Sequence, residues 1–564
     1  MTAGLFSRLA ALLRGGPEKL HFYEDEDHAF SPAERGVIPG APPTPAHPRG
    51  RRILYAATSA LVGLTGALGN GLTVVNLPYI QGSLGLNASE VAWLPAAYLV
   101  TGAIAGSLLV KYRQRFGIRS FSMFFLAAQV LVIAAHLWVR GLESAIAIRA
   151  AGGVCGVALL SLGVFYMIQA FPPAYRLNAV ALGIGIPQLA LPIARVVPKD
   201  SLAFGNWSGL YLFELGLSMI TLATVMVVRL PPNRRENMFE PLDAFTFVVY
   251  AAGVLLLGAS LGIGGYLWWT NVPWIGWSLA LAIPCLVLAM AVEGFRRRPL
   301  IDVRWLSSAA FIRWSVIAIL WRVAIAEQSI GAVGMLRDFG LTNDDFYDLS
   351  LVILLSAVAG LLLSALIVGP KRLSQMVIAA LLLVSAAAFV DSFSGIDTRP
   401  PQFFLTQATI AFATTLFIGP SFLFGLTRVI AEGGTKMTSF IALFGITQAI
   451  GTLAGTAFVQ SYLYAAQQYH LAAFAAGAER SQPLVAARLA EMAGRYDAVI
   501  ADRFLKSAEG TTALSQRILL HARVAAYDDV FFAVAIVSLA SAAAICIALG
   551  ANRATGLLTR KDAR

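Results

Sequence analysis

Charge is scarce in this 564-residue sequence: Asp, Glu, Lys and Arg make up 13% of it, against 58% hydrophobic residues. Soluble globular domains carry about 25% charged residues. A chain this depleted cannot clothe its whole surface in polar groups, so lipid must solvate much of it. Cysteine is nearly absent too. Cys155, Cys285 and Cys546 fall in separate apolar blocks, which offers no metal-site spacing and predicts no disulfide. There is no His-Glu-x-x-His sequence, no phosphate-binding glycine loop and no nucleophile elbow. Hence no cofactor, no metal and no catalytic residue are expected, and an ATP-driven mechanism is disfavoured. Strictly alternating segments of roughly ten residues are also missing, which excludes a transmembrane barrel.

What is present is long apolar runs. Residues 121–139, 351–369 and 530–549 are nearly uncharged, and each can cross about 30 Å of hydrocarbon as a helix. From Arg51 onward the pattern predicts fourteen spans, near 54–79, 90–112, 120–139, 144–168, 177–197, 207–230, 243–266, 275–295, 308–335, 348–369, 373–392, 402–429, 437–465 and 527–549. Pro187 and Pro192 interrupt the fifth, and the ninth contains charges.

Basic residues alternate with the spans. One side collects Arg51, Arg52, Lys111, Arg113, Arg115, Arg119, Arg234, Arg235, Lys371, Arg372 and Arg560, whereas loops 80–89 and 267–274 on the other side have none. This bias places both termini in the cytoplasm and requires an even number of spans. The formal charge of +11 is therefore a topology signal, and no nucleic-acid partner is expected. No cleavable signal peptide is read at the start; segment 5–13 reads as a surface helix or a frayed tail. Residues 466–526 form one long external segment with mixed charge, predicted to be a solvated helical hairpin or extensions of the flanking spans.

The loop after the second span reads Gly106-Ser107-Leu108-Leu109-Val110-Lys111-Tyr112-Arg113-Gln114-Arg115-Phe116-Gly117-Ile118-Arg119. It resembles the signature of the major facilitator superfamily, a glycine followed by a basic turn ending Arg-Phe-Gly-x-Arg. Gly106, Arg113, Arg115, Gly117 and Arg119 would then form the gating loop. Glycine permits the tight turn, and the cations can bind a helix C-terminus in one conformation and release it in the other. Gln114 stands where the family usually has Asp.

Other fragments resemble the fourteen-span drug:proton antiporter group of the EmrB/QacA type. They are Asn87-Ala88-Ser89-Glu90-Val91-Ala92-Trp93 with Tyr98, Arg149 with Gly153, Arg298-Pro299-Leu300-Ile301-Asp302-Val303-Arg304, and Ala526-Tyr527-Asp528-Asp529-Val530-Phe531. The resemblance implies an all-α membrane protein with the major facilitator fold: two six-helix bundles plus two inserted helices, fourteen transmembrane helices in all. The divisions would be a cytoplasmic tail 1–52, a first bundle 53–230, two inserted spans 231–300, a second bundle 301–549 carrying the external segment 466–526, and a cytoplasmic tail 550–564. It further implies secondary active efflux of amphipathic or aromatic small molecules by proton antiport from a bacterial inner membrane, substrate binding near the bilayer midplane between the bundles, and a periplasmic adaptor and TolC-type outer-membrane channel as partners. A uniporter or importer of a small metabolite on the same fold is the alternative.

Two departures bear on coupling. The group usually carries Asp in its first span where this chain has Gly69, within Leu68-Gly69-Asn70-Gly71-Leu72-Thr73 before Asn76-Leu77-Pro78. The fifth-span Gly-Pro motif is degenerate, as Pro187-Gln188-Leu189-Ala190-Leu191-Pro192. Ionisable groups in hydrocarbon cost roughly 2.5–3.5 kcal/mol each and persist when paired, hydrated or useful. Glu327, expected to line the central cavity, is either a proton or cation site or half of a structural ion pair. Glu214 is either an interfacial carboxylate or a substitute proton carrier for the one missing at Gly69. Arg322 lies about 140° around the helix from Glu327 and is expected to look to another helix, either to recognise an anionic substrate or stabilise a carboxylate or as a structural pair. Arg149 takes a coupling role from the resemblance, and Arg195 is expected to snorkel to the interface. Asn70, Asn76, Trp93, Tyr98, Tyr166 and Gln188 are the polar and aromatic candidates for a substrate cavity, with interface belt or packing as the alternative for the aromatic ones.

Overall fold

A computed structural model describes residues 34, 36, 41–197, 208–233, 240–296, 299–477 and 482–561; segment 5–13 lies outside them. Fourteen helices are long and apolar enough to cross a membrane. In chain order they are α1 Arg49–Val75, α2 Ala88–Phe116, α3 Ile118–Trp138, α4 Leu142–Ala170, α5 Pro173–Val196, α6 Gly209–Val227, α7 Pro241–Leu267 and α8 Pro273–Phe295, followed by α9 Ala309–Asp338, α10 Tyr347–Ile367, α11 Leu373–Asp391, α12 Pro400–Ala431, α13 Met437–Ala476 and α14 Arg503–Ala551.

The connections follow from local chemistry. Asn87 and Glu90 cap the start of α2 reciprocally, side chain to backbone in both directions. Between α2 and α3 the chain reverses on Gly117 alone, at φ +85°, a left-handed conformation that side chains resist. The fifth span is interrupted at its first proline, and the ninth carries an irregularity the sequence did not announce. In α5 a 3₁₀ turn spans Ile186–Leu189 around Pro187, and in α9 a π-helical turn runs from Glu327 to Ala332.

Helices α1–α6 form one bundle and α9–α14 the other, with α7 and α8 inserted. Within the first, α4 packs on α1, α2 and α3; within the second, α12 packs on α10 and α11, and α13 on α9. The inserted α7 lies against α2 and α13. The bundles touch along α2 with α13, and along α5 with α10 and α12. In α4 this packing needs glycine: a Cβ at Gly156 would run into the Tyr98 hydroxyl, and one at Gly153 into the Tyr98 carbonyl.

The long segment 466–526 takes the extension form, with an addition. Helix α13 has 40 residues, about 60 Å, twice the hydrocarbon thickness. The final helix runs on as Arg503–Lys561. A short helix, Pro483–Gly494, packs on it.

Candidate functional site

Four helices of the first bundle converge on one buried polar cluster. Arg149 of α4, 3% exposed, reaches α1, where its guanidinium donates to the Gly69 carbonyl at 3.3 Å and to Asn70 Oδ1 at 2.7 Å. Tyr98 of α2 lies under that guanidinium, 4.7 Å from ring centroid to Cζ. The Tyr98 hydroxyl donates to the Gly66 carbonyl at 2.8 Å, so ring and cation are both fixed to α1. Glu214 of α6, 4% exposed, completes the set. Its Oε2 lies 2.9 Å from where a Cβ on Gly69 would stand. The carboxylate supplied by α6 therefore fills the space that a side chain at position 69 would occupy. Its other oxygen, Oε1, has no hydrogen-bond partner, and Arg149 acts on it through space. Burial excludes the reading of Glu214 as an interfacial carboxylate reaching water.

Two neighbours were not foreseen. His136, at the end of α3, stacks on Tyr211 of α6 with ring centroids 4.4 Å apart and bonds the Val132 carbonyl through Nδ1 at 3.0 Å. Arg149 lies within Coulombic reach of both rings. A lone histidine and tyrosine in apolar spans carry no spacing signal that would have singled them out.

In the second bundle Glu327 departs from expectation. It does not face an open central cavity: it is fully buried at the first residue of the π turn, inside the bundle. Nor is it half of an ion pair with a cation. Gln407 of α12 donates its one amide nitrogen to Glu327 Oε1 and to Asp391 Oδ2 of α11, both at 3.0 Å. Two carboxylates thus share one neutral donor, and Glu327 Oε2 is left without a partner. Asp391 and Gln407 were missed because they sit at the end of α11 and near the start of α12 and belong to no motif. Arg322 does turn to another helix, bonding Gln448 of α13 and packing over Gly451 and Gly455.

At the end carrying the basic loops, Arg113 is buried over the Phe165 ring at 4.4 Å, Arg115 is exposed beside Phe116, and Arg119 is half-buried. Gly106 brings α2 to Val157 and to Ile441 of α13. The basic turn also clamps the inserted helices: Lys111 meets Asp243 of α7 at 2.6 Å. Arg296 bonds Asp243, Glu240 and Glu293 at 2.8, 2.7 and 2.6 Å. Burial alone would lower the Arg296 guanidinium, but its three carboxylate partners raise it above its ordinary value. In the linker into α9, burial would raise Asp302, yet its bonds to Lys436 and the Trp305 N–H hold it below the usual carboxylate range.

The remaining cavity candidates separate. Asn76 lines a cleft of about 200 Å³ between the halves, at the end away from the basic loops. Gln188 sits half-buried in the 3₁₀ turn of α5. Two candidates make packing contacts. Trp93 stacks on Trp274 of α8 at 5.9 Å, and Tyr166 is buried with its hydroxyl donated to the Val228 carbonyl at 2.7 Å. Arg195 does not snorkel to an interface; it is 7% exposed and lines the same cleft as Asn76. Among the described residues no three His, Cys, Asp or Glu side chains gather as a metal site.

No family model matches the chain. It is 24% identical over 237 residues to the major facilitator superfamily multidrug transporter mfsC of Aspergillus fumigatus, covering 42% of this chain and 45% of that protein. It is 21% identical over 272 residues to multidrug resistance protein 3 of Bacillus subtilis, covering 47% of this chain and 52% of the other. The chain thus spans about half the length of these relatives. In structure it resembles the human organic anion transporter MFSD10, with TM-score 0.51 and 13% identity over 87% of this chain and 100% of that one. It also resembles a POT family transporter solved with 5-aminolevulinic acid, with TM-score 0.53 and 13% identity over 91% of this chain and 99% of the other. The fold is the major facilitator fold, and the sequence relatives support that superfamily.

Proposed function

We propose that this chain is a secondary active transporter that exports amphipathic or aromatic compounds by proton antiport and alternating access, with Glu214 as the proton-binding carboxylate of its first half. The observation that carries this is the position of Glu214 against Gly69, beside Arg149. Burial in a dry site opposes the charge on the carboxylate while the fixed cation supports it, so the two influences compete and the group can gain and lose a proton; when it takes a proton, the cation loses its counter-charge and is free to repack. The Gln407 bridge supports a second titrating site: two carboxylates sharing one donor repel unless one holds a proton. Efflux of drug-like compounds is the reading favoured by the multidrug relatives.

Within this proposal the chain sits in a bacterial inner membrane with both termini cytoplasmic. The projecting ends of α13 and α14 with helix Pro483–Gly494 form the docking surface for a periplasmic adaptor, beyond which an outer-membrane channel completes a tripartite pump. The test is substrate-driven proton release in inverted vesicles, for wild type, Glu214→Gln and Glu327→Gln. Both variants should lose it. Substrate flux that ignores the pH gradient in the wild type would instead support a uniporter or importer.

A further inference from the structure

The cleft lined by Arg195 belongs to neither carboxylate cluster. Arg195, in the last turn of α5, is 7% exposed, yet among the described residues no carboxylate lies within bridging distance of it and none hydrogen-bonds to it. A desolvated guanidinium without a counter-charge is costly, by several kcal/mol in general. A second cation sharpens the problem. Arg337 of α9 is close enough to repel Arg195. It is held there by the Val75 carbonyl at 3.2 Å and Asn343 Oδ1 at 3.0 Å. The space in front of Arg195 is about 200 Å³, walled by Val75, Asn76, Ala194 and Val197 from the first half and by Asn343, Asp344 and Tyr347 from the second.

We propose that this cleft binds a small carboxylic acid, its carboxylate on Arg195 and its hydrocarbon or aromatic part against Val75, Val197 and Tyr347. The guanidinium fork matches a carboxylate with two parallel hydrogen bonds. Asn76 supplies a neutral polar group at the same opening. The ligand would touch both halves at once, so its binding is sensitive to how the halves sit relative to one another.

The inference is separable from proton coupling because it is read at equilibrium without a gradient. The full-length protein in phosphatidylcholine nanodiscs is titrated calorimetrically with benzoate and with its neutral counterpart benzamide. Benzoate should bind and benzamide should not. Arg195→Gln should weaken benzoate about tenfold or more, while Arg195→Lys, which keeps the charge, retains the preference for benzoate at lower affinity. Replacing part of the lipid with phosphatidylglycerol should leave the benzoate affinity unchanged. Equal binding of benzamide, or benzoate binding untouched by Arg195→Gln, would overturn the site. Equal losses in the Lys and Gln variants would overturn the role of charge. Loss of benzoate binding in phosphatidylglycerol would overturn a free acid as occupant and assign the cleft to a lipid headgroup.

Discussion

If Glu214 stands in for a carboxylate missing from the first span, the charge can be moved back. Gly69→Asp alone should be damaging. Its Cβ would stand 2.9 Å from Glu214 Oε2, which puts two carboxylates roughly 4 Å apart or closer. At an effective dielectric of 20 their repulsion is about 4 kcal/mol, a factor of about a thousand in any equilibrium requiring both to be charged. Glu214→Asn alone removes the counter-charge of Arg149 and leaves that guanidinium with the neutral contacts of Asn70, the Gly69 carbonyl and the Tyr98 ring. The double variant, Gly69→Asp with Glu214→Asn, restores one carboxylate to the same space against the same cation. Proton release on substrate addition, in proteoliposomes with a trapped pH dye, should be lost in both single variants and regained in part by the double. A double variant no better than Glu214→Asn would refute the reasoning, because the site would then need α6 itself and not merely a charge.

Two further perturbations follow from the packing. Gly156→Ala drives a methyl group into the Tyr98 hydroxyl and to within 2.9 Å of the Gly66 carbonyl, an overpacking that costs about 1–3 kcal/mol; thermal unfolding in detergent should show it, and Tyr98→Phe should relieve part of it. Near the N-terminus, His47 bonds Gln169 at 2.9 Å and burial pushes it down to about 4, with Gln169 opposing and Arg51 and Arg52 assisting. A histidine held below its ordinary 6.5 leaves docking of segment 41–48 at full strength above pH 6.5. Docking then weakens by up to about 1.4 kcal/mol per pH unit as pH falls toward 4. Hydrogen exchange across that segment, corrected for intrinsic rate, should rise on acidification in the wild type and lose this dependence in His47→Gln; pH-independent protection in the wild type would contradict it.

The spans were legible because hydrocarbon thickness is written directly into the length of an apolar run. All fourteen predicted segments overlap a membrane-length helix. Their ends were less legible where helix continues into water: hydropathy stops near residue 465, whereas α13 runs on to Ala476. The fifth-span break was visible because proline removes a donor wherever it stands. Site geometry was legible only in part. Gly69 in place of the Asp expected from the resemblance was a local observation, and Glu214 stood out as a carboxylate inside a span. Their contact, however, spans 145 residues and exists only because α1 and α6 pack side by side. The bridge from Gln407 to Glu327 and Asp391 has the same character, since its 80- and 16-residue separations obey no helical period. The partners of Trp93 and Tyr166 were not legible either, because Trp274 and Val228 lie on other parts of the chain.

Both carboxylate clusters lie within bundles, not between them, and this constrains how a proton could move the halves. Glu214 and Arg149 act on α1 at Gly69 and Asn70. Six residues further along the same helix, about 9 Å away, the Val75 carbonyl accepts from Arg337 and, at 3.4 Å, from Asn343 of the second half. Helix α1 is thus gripped at one point by the proposed proton site and at the next by the opposite bundle. Interior side chains are close-packed, so a shift at Gly69 is not absorbed locally. On the proposed function, protonating Glu214 loosens the Arg149 grip, and α1 carries the displacement to the contact at Val75, which sits in the wall of the Arg195 cleft. Substrate and proton need not share a residue to exclude one another; it is enough that each favours a different setting of the same helix.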